Sequence, residues 1–90
     1  LSLIRIKANL QLRDNDIKES GMHIDVNIIS QEQKTGIFYM NTNNGKTVFE
    51  DGKTIDSVEN RMVIFPSSLR HNGTTHTDTP YRCVINFNWI

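Results

Sequence analysis

The sequence contains a single cysteine, Cys83, so the chain cannot form an internal disulfide. Small secreted domains usually rely on several disulfides, and this absence argues against that class. Lysine and arginine together number 10, as do aspartate and glutamate, so the formal net charge is zero. A balanced charge gives no general attraction to nucleic acids or acidic membranes. We therefore expect a cytoplasmic protein that binds neither a nucleic acid nor a membrane.

Long apolar runs are also missing, because no segment approaches the roughly 20 residues of a membrane-spanning helix. The first residues lack the basic head and the small-residue cleavage site of a signal peptide. Ninety residues suffice for one small domain. The chain does not begin with Met and opens directly in alternating apolar sequence. We expect residues 1–90 to be a single domain and the C-terminal core of a longer protein.

Short segments of alternating apolar and polar residues predict strands, and no long helical pattern is present. Alternation over residues 4–13 predicts a long first strand. Asp51-Gly52, between two β-prone segments, predicts a hairpin turn. Residues 36–41, 62–65 and 81–90 predict further strands. About eight antiparallel strands suit an all-β jelly roll.

Residues 21–27 carry the first candidate site, because as a strand they would place His23 and Asp25 on one face. An imidazole and a carboxylate placed in this way can bind the same metal ion. His71 is our choice for a third ligand, because a return hairpin could bring it to the site. His76 is the alternative, although the polar residues around it predict an exposed loop. Two histidines and one carboxylate are typical of non-haem Fe(II) oxygenases, which keep open positions on the metal.

Arg82 at the start of the last predicted strand is the second candidate. A guanidinium holds a carboxylate with two parallel hydrogen bonds. Because an unpaired buried charge is costly, an arginine beside a metal site predicts an anionic partner such as a dicarboxylic cosubstrate. The alternative is that Arg82 pairs with a surface carboxylate such as Asp78.

An inward Arg82 would turn the other side of the last strand outward as an apolar stripe. Its members are Tyr81, Cys83, Ile85, Phe87 and Trp89. Exposed apolar patches of this size usually have a partner. Missing helices or a second subunit should cover the stripe, and we expect a homo-oligomer that uses this face.

Several features together give the sequence a resemblance to a known enzyme family. They are His23-x-Asp25, His71 and Arg82 in that order, with the segments 37–41, 60–66 and 82–89. The order of the four residues resembles the signature of Fe(II)- and 2-oxoglutarate-dependent dioxygenases. The three segments are similar to its prolyl-4-hydroxylase-like branch.

The resemblance implies a cupin-like double-stranded β-helix, here without the N-terminal helices that the family normally carries. It implies that His23, Asp25 and His71 bind Fe(II), and that Arg82, helped by Tyr39, binds the distal carboxylate of 2-oxoglutarate. Such enzymes hydroxylate a C–H bond, for example of peptidyl proline or another side chain, and release succinate and CO₂. Ascorbate would serve as a reductant, and the substrate would be a peptide or a small molecule.

Three alternatives to these assignments remain open. Tyr39 could be a core residue with a capped hydroxyl. The chain could be a cupin-like jelly roll that binds a metal or a ligand without oxygenase activity, although a cupin has no need of a carboxylate clamp at Arg82. It could also be a structural or assembly domain that works through its apolar stripe.

Overall fold

A computed structural model describes residues 2–24 and 27–90, and these residues form seven β-strands and no helix. The strands are β1 (Leu3–Leu12), β2 (Lys34–Tyr39), β3 (Lys46–Phe49), β4 (Thr54–Asp56), β5 (Met62–Pro66), β6 (His71–Gly73) and β7 (Tyr81–Trp89). The all-β prediction is confirmed. A search of these residues for a helix long and apolar enough to cross a membrane finds none.

The strands form two antiparallel sheets. The larger sheet has the order β1-β7-β2-β5, and the smaller sheet has the order β4-β3-β6. Residues on the far side of β6 extend the smaller sheet through two isolated bridges, Glu19 with Thr74 and His23 with His71. The chain thus passes between sheets along its length, as in a jelly roll.

Along the strands of the larger sheet, successive side chains alternate between the face toward the smaller sheet and the face away from it. On β7, Arg82, Val84 and Asn88 are buried between the sheets, and the residues that alternate with them face away. On β1, the register places Leu10 opposite Cys83 and Leu12 opposite Tyr81, so these leucines share the outward face. The inward direction predicted for Arg82 is confirmed.

The apolar core lies between the two sheets. It consists of Ile37, Tyr39, Phe49, Phe65 and Val84, with Ile55, Val63 and Leu69 packed against it. The rings of Phe49 and Phe65 meet edge to face, with centroids 4.9 Å apart. This geometry suits the quadrupoles of aromatic rings.

The hairpin between β3 and β4 turns at the predicted Asp-Gly pair. Gly52 has a φ of 89°, a conformation that residues with a Cβ rarely adopt. Its N–H donates to the carbonyl of Phe49, which closes the turn. The prediction of this hairpin is confirmed.

Two expectations differ from the structure. His23 forms one isolated bridge and no named strand, and Asp25 lies outside the described residues. His76, predicted to face solvent, is fully buried. The segment around His76 is held by distant partners, since its carbonyl accepts from the N–H of Asp14. Sequence-local polarity does not reveal such long-range contacts.

Candidate functional site

A half-open pocket of about 430 Å³ lies between the sheets. Its wall on the larger sheet is formed by the inward faces of β1 and β7, and its opposite wall by β3, β6 and part of the segment 20–24. Its polar lining residues are Arg5, Lys7, Asn9, Gln11, Ser20, His23, Thr47, His71, Arg82 and Asn86. This lining includes the predicted site residues His23, His71 and Arg82.

His23 and His71 meet in the pocket, with ring centroids 4.9 Å apart. Their backbones bind each other through two hydrogen bonds, at 2.9 and 3.0 Å between N and O. His71 is buried and His23 is exposed. This reciprocal pair brings together two parts of the chain that are far apart in sequence, and it fixes the relative position of the two imidazoles.

The two imidazoles are held in the same way. Nδ1 of His23 lies 3.2 Å from the carbonyl oxygen of Gly21, and Nδ1 of His71 lies 3.4 Å from that of Leu69. Donation from Nδ1–H to these carbonyls favours the tautomer with its lone pair on Nε2. Metal-binding histidines are commonly oriented in this way.

Arg82 reaches the pocket from the start of β7 and is 5% exposed. Its Nε donates to Oγ of Ser57 at 3.2 Å, and no described residue forms an ion pair with it. Burial lowers the pKa of Arg82 from its usual value, and the neighbouring Tyr39 partly opposes this. Among residues 2–24 and 27–90, this desolvated cation therefore has a neutral hydroxyl as its side-chain hydrogen-bond partner.

Two glycines make room for this guanidinium. A Cβ on Gly45 would lie 2.9 Å from Cδ of Arg82, and a Cβ on Gly73 would lie 3.4 Å from its Nη1. Ser57, whose Oγ receives the Arg82 hydrogen bond, donates in turn to the carbonyl of Gly45 at 2.8 Å. Close packing thus fixes both the stem and the head of Arg82.

Tyr39 is completely buried, and its hydroxyl is 2.7 Å from Oγ1 of Thr47. Burial raises the pKa of Tyr39, while the hydrogen bond to Thr47 acts in the opposite direction. Thr47, not Tyr39, lines the pocket. The predicted contact between Tyr39 and a cosubstrate therefore stays a prediction, and the geometry favours the alternative of a capped core hydroxyl.

The pocket lining is rich in positive charge. Arg5 and Lys7 extend from β1 on the same face, and Arg82 lies on the adjacent strand. Among residues 2–24 and 27–90, no carboxylate lines the pocket. An anion is therefore the kind of ligand whose charge would complement Arg82 and Lys7.

The structure places three of the predicted site residues, His23, His71 and Arg82, in one pocket. Asp78 does not pair with Arg82; one of its carboxylate oxygens accepts from the backbone N–H of Asn44 at 3.0 Å. His76 is not a lining residue. Its two ring nitrogens have no hydrogen-bond partner within the described parts of the chain.

The histidine pair suits two positions on a metal ion. No group of three or more His, Cys, Asp or Glu side chains suited to a metal is present among the described residues. Asp25, the predicted third ligand, lies outside them. The positions of His23 and His71 are therefore compatible with two of the three predicted metal ligands, and the complete ligand set stays a prediction.

Sequence reasoning missed several residues of the site. Thr47 and Ser57 carry no local signal, because only the meeting of distant strands places them beside Arg82 and Tyr39. Arg5 and Lys7 did carry a signal, since they alternate with apolar residues along β1. Once β1 is paired with β7, the same alternation places them on the face of Arg82.

Comparison with known proteins bears on the fold. No family model matches the sequence, and no curated protein matches it. A crystal structure of protein NMB1881 from Neisseria meningitidis has a TM-score of 0.59 and 15% identity, and the match covers 98% of this chain and 81% of that one. An RmlC-like cupin protein from Desulfovibrio desulfuricans has a TM-score of 0.58 and 18% identity, with coverage of 93% and 81%.

The chain has a cupin-type jelly-roll fold. At identities this low, the similarity shows the fold and nothing about activity. The cupin-like architecture predicted from the sequence is therefore confirmed. The dioxygenase branch has no support from either structure, and it stays a hypothesis about this cupin-type domain.

Proposed function

We propose that this cupin-type domain binds a small carboxylate-bearing molecule in the pocket between its sheets. The observation that carries the proposal is Arg82, a buried guanidinium that faces the pocket with no ion-pair partner among the described residues. Bringing a charge out of water costs several kcal/mol unless a partner compensates for it. A carboxylate can supply that partner with two parallel hydrogen bonds.

The surroundings of Arg82 support a planar ligand group of modest size. The hydroxyl of Ser57 accepts a hydrogen bond from it, Thr47 lines the same pocket, and Gly73 contributes backbone without a side chain. Val84 and Ile37 give the pocket an apolar floor. A concave site between two sheets, with polar groups that converge above an apolar floor, is a place where small molecules commonly bind.

The test is a calorimetric titration with 2-oxoglutarate and succinate, and with succinamide as the neutral analogue. We expect the two carboxylates to bind and the diamide not to bind. Arg82→Gln should weaken carboxylate binding by about 100-fold, the equivalent of a charge-assisted contact of roughly 2–3 kcal/mol. The matched control is Arg70→Gln, since Arg70 is an exposed arginine in the turn before β6. Equal binding by the two variants would refute the proposal.

A second candidate function is the Fe(II)- and 2-oxoglutarate-dependent dioxygenase of the sequence analysis. The observation that favours it is the pairing of His23 and His71 in the same pocket as Arg82. In this function, His23, His71 and Asp25 would hold iron, and Arg82 would hold the far carboxylate of the 2-oxo acid. Bound Fe(II) would supply the activation of O₂ that hydroxylation requires.

A turnover assay with 2-oxoglutarate distinguishes the two candidate functions. A dioxygenase should release succinate from 2-oxoglutarate with Fe(II) and ascorbate, and His71→Ala should abolish this release. A ligand-binding domain should bind 2-oxoglutarate without releasing succinate. Binding that survives a chelator and is lost in Arg82→Gln would favour the ligand-binding function.

A further inference from the structure

The larger sheet turns an apolar face away from the pocket, and we call it the outer face. Its residues are Leu3, Ile6, Leu10 and Leu12 of β1, Tyr81, Cys83, Ile85, Phe87 and Trp89 of β7, Phe38 of β2, Met40 just after β2, and Met62 and Ile64 of β5. The strand registers place all of these side chains on one side of the sheet. Within the four strands, Lys34 is the single charged residue on this side.

The outer face is large and uncovered. Leu12 is 78% exposed, Leu10 is 66% exposed and Ile64 is 58% exposed. Leu3, Met62, Phe87 and Trp89 also line a shallow apolar depression on it. Monomeric proteins rarely expose a continuous apolar patch larger than a few hundred Å². We therefore expect another surface to cover the outer face.

The exposed apolar area of the outer face is comparable to the area that one partner buries in a standard protein interface. Eight residues of this face are more than a third exposed. At roughly 150–200 Å² for a fully exposed side chain of this size, they present about 650–900 Å². A standard interface buries about 800 Å² on each partner. The area is thus sufficient for a stable dimer.

We propose that the outer face is the interface of a homodimer, in which the larger sheets of two copies pack face to face. A second copy offers an equally apolar surface of equal size, so that an isologous contact is self-complementary. The near absence of charge leaves no repulsion at its centre and does not suit a nucleic acid or an acidic membrane. Sheets packed face to face are about 10 Å apart, and the side chains of this face can fill that layer.

The experiment is sedimentation velocity across the micromolar range, with Ile64→Lys and Leu12→Lys as two separate variants. These positions lie on the two edge strands of the sheet, β5 and β1, so the variants test the face at two independent places. We expect the unaltered chain to sediment at twice its mass of 10.4 kDa. Each lysine should raise the dimer dissociation constant at least about tenfold, since it carries a charge into an apolar interface.

The matched control is Ile29→Lys, because Ile29 is 68% exposed but lies outside both sheets. This variant should remain dimeric. Circular dichroism of all three variants checks that they keep the β-fold. A monomer for the unaltered chain across the whole range would overturn the proposal, as would unchanged dimerisation of both interface variants. Binding of a monomer to lipid vesicles would assign the face to a lipid surface instead and would also overturn it.

Discussion

Replacing Arg82 with methionine should make the protein more stable and unable to bind carboxylates. Methionine keeps the length of the aliphatic stem that packs beside Gly45, and it removes the guanidinium that burial has desolvated. The prediction is a trade between stability and function at one residue. Such a trade is expected where a site keeps a strained electrostatic arrangement for a ligand.

The magnitude follows from the contacts of the guanidinium. Its burial costs several kcal/mol, and its hydrogen bond to Ser57 returns about 1.5–3 kcal/mol. The Ser57 hydroxyl keeps its bond to the carbonyl of Gly45 after the change, so no new buried group is left unpaired. Replacements of buried ions by apolar residues of similar size are neutral or stabilise by about 1–4 kcal/mol. We expect a gain of about 1–2 kcal/mol for Arg82→Met.

The assay is urea denaturation of both proteins with and without 2-oxoglutarate. A ligand at 100 times its dissociation constant stabilises the folded state by about 2.7 kcal/mol. The unaltered protein should gain this amount, and Arg82→Met should gain nothing. Without ligand, the variant should have the higher midpoint and an unchanged slope.

Two results would refute this reasoning. A loss of more than about 2 kcal/mol in ligand-free Arg82→Met would mean that the guanidinium is already compensated within the folded chain. An equal gain from 2-oxoglutarate in both proteins would mean that the ligand is bound elsewhere. Arg70→Met, a change at an exposed position, provides the control for the assay.

Three further predictions concern stability. Burial raises the pKa of Tyr39 above its usual value of 10.0. The unfolded state therefore loses its phenol proton first, and the free energy of unfolding should fall above about pH 10 by up to about 1.4 kcal/mol per pH unit. Denaturation at a series of pH values should show a shallower fall for Tyr39→Phe, and equal falls for the two proteins would contradict this. His76→Leu removes two buried ring nitrogens that have no hydrogen-bond partner among the described residues. It should raise the free energy of unfolding in urea by about 1 kcal/mol. A marked loss of stability would instead indicate a water or ligand on those nitrogens. Gly45→Ala would bring a Cβ to 2.9 Å from Cδ of Arg82, and it should lower the free energy of unfolding by about 1–3 kcal/mol in thermal melts. The control is Gly21→Ala, whose Cβ would meet open space, so that this variant should be neutral or slightly stabilising.

Local patterns predicted the long strands well. The alternation in β1 and β7 and the Asp-Gly turn before β4 are short-range features, and the structure contains all three elements. The inward direction of Arg82 followed from the same alternation. These predictions succeed because successive side chains of a strand point to opposite faces, so a strand with one buried face has a buried residue at every second position.

The segment around His23 was harder to predict because its pairing is not local. A single bridge to His71 holds it, and no run of alternating ladder bonds continues on either side within the described residues. The sequence pattern of a strand is present there, and the described residues 21–24 form no named strand. The prediction that His23 and His71 lie close together nevertheless agrees with the structure.

His76 shows the opposite failure, since polar neighbours predicted exposure and the side chain is buried. Those neighbours are used by other parts of the chain: Thr75 donates to the carbonyl of Asp16, and Asn44 donates through its side chain to the hydroxyl of Thr77. Because polar residues are satisfied by long-range partners, polarity alone does not report exposure here.

The pairing of β1 with β7 has a consequence for how the protein is made. Of the seven described strands, β1 leaves the ribosome first and bonds along its length to β7, which leaves last, and β7 also separates β1 from β2. Arg82 and one wall of the pocket belong to that last strand. In a nascent chain, β1 therefore lacks its partner strand until β7 has been synthesised, and the larger sheet must wait for a contact between strands that are far apart in the sequence. Slow folding and a need for protection during translation follow from this topology.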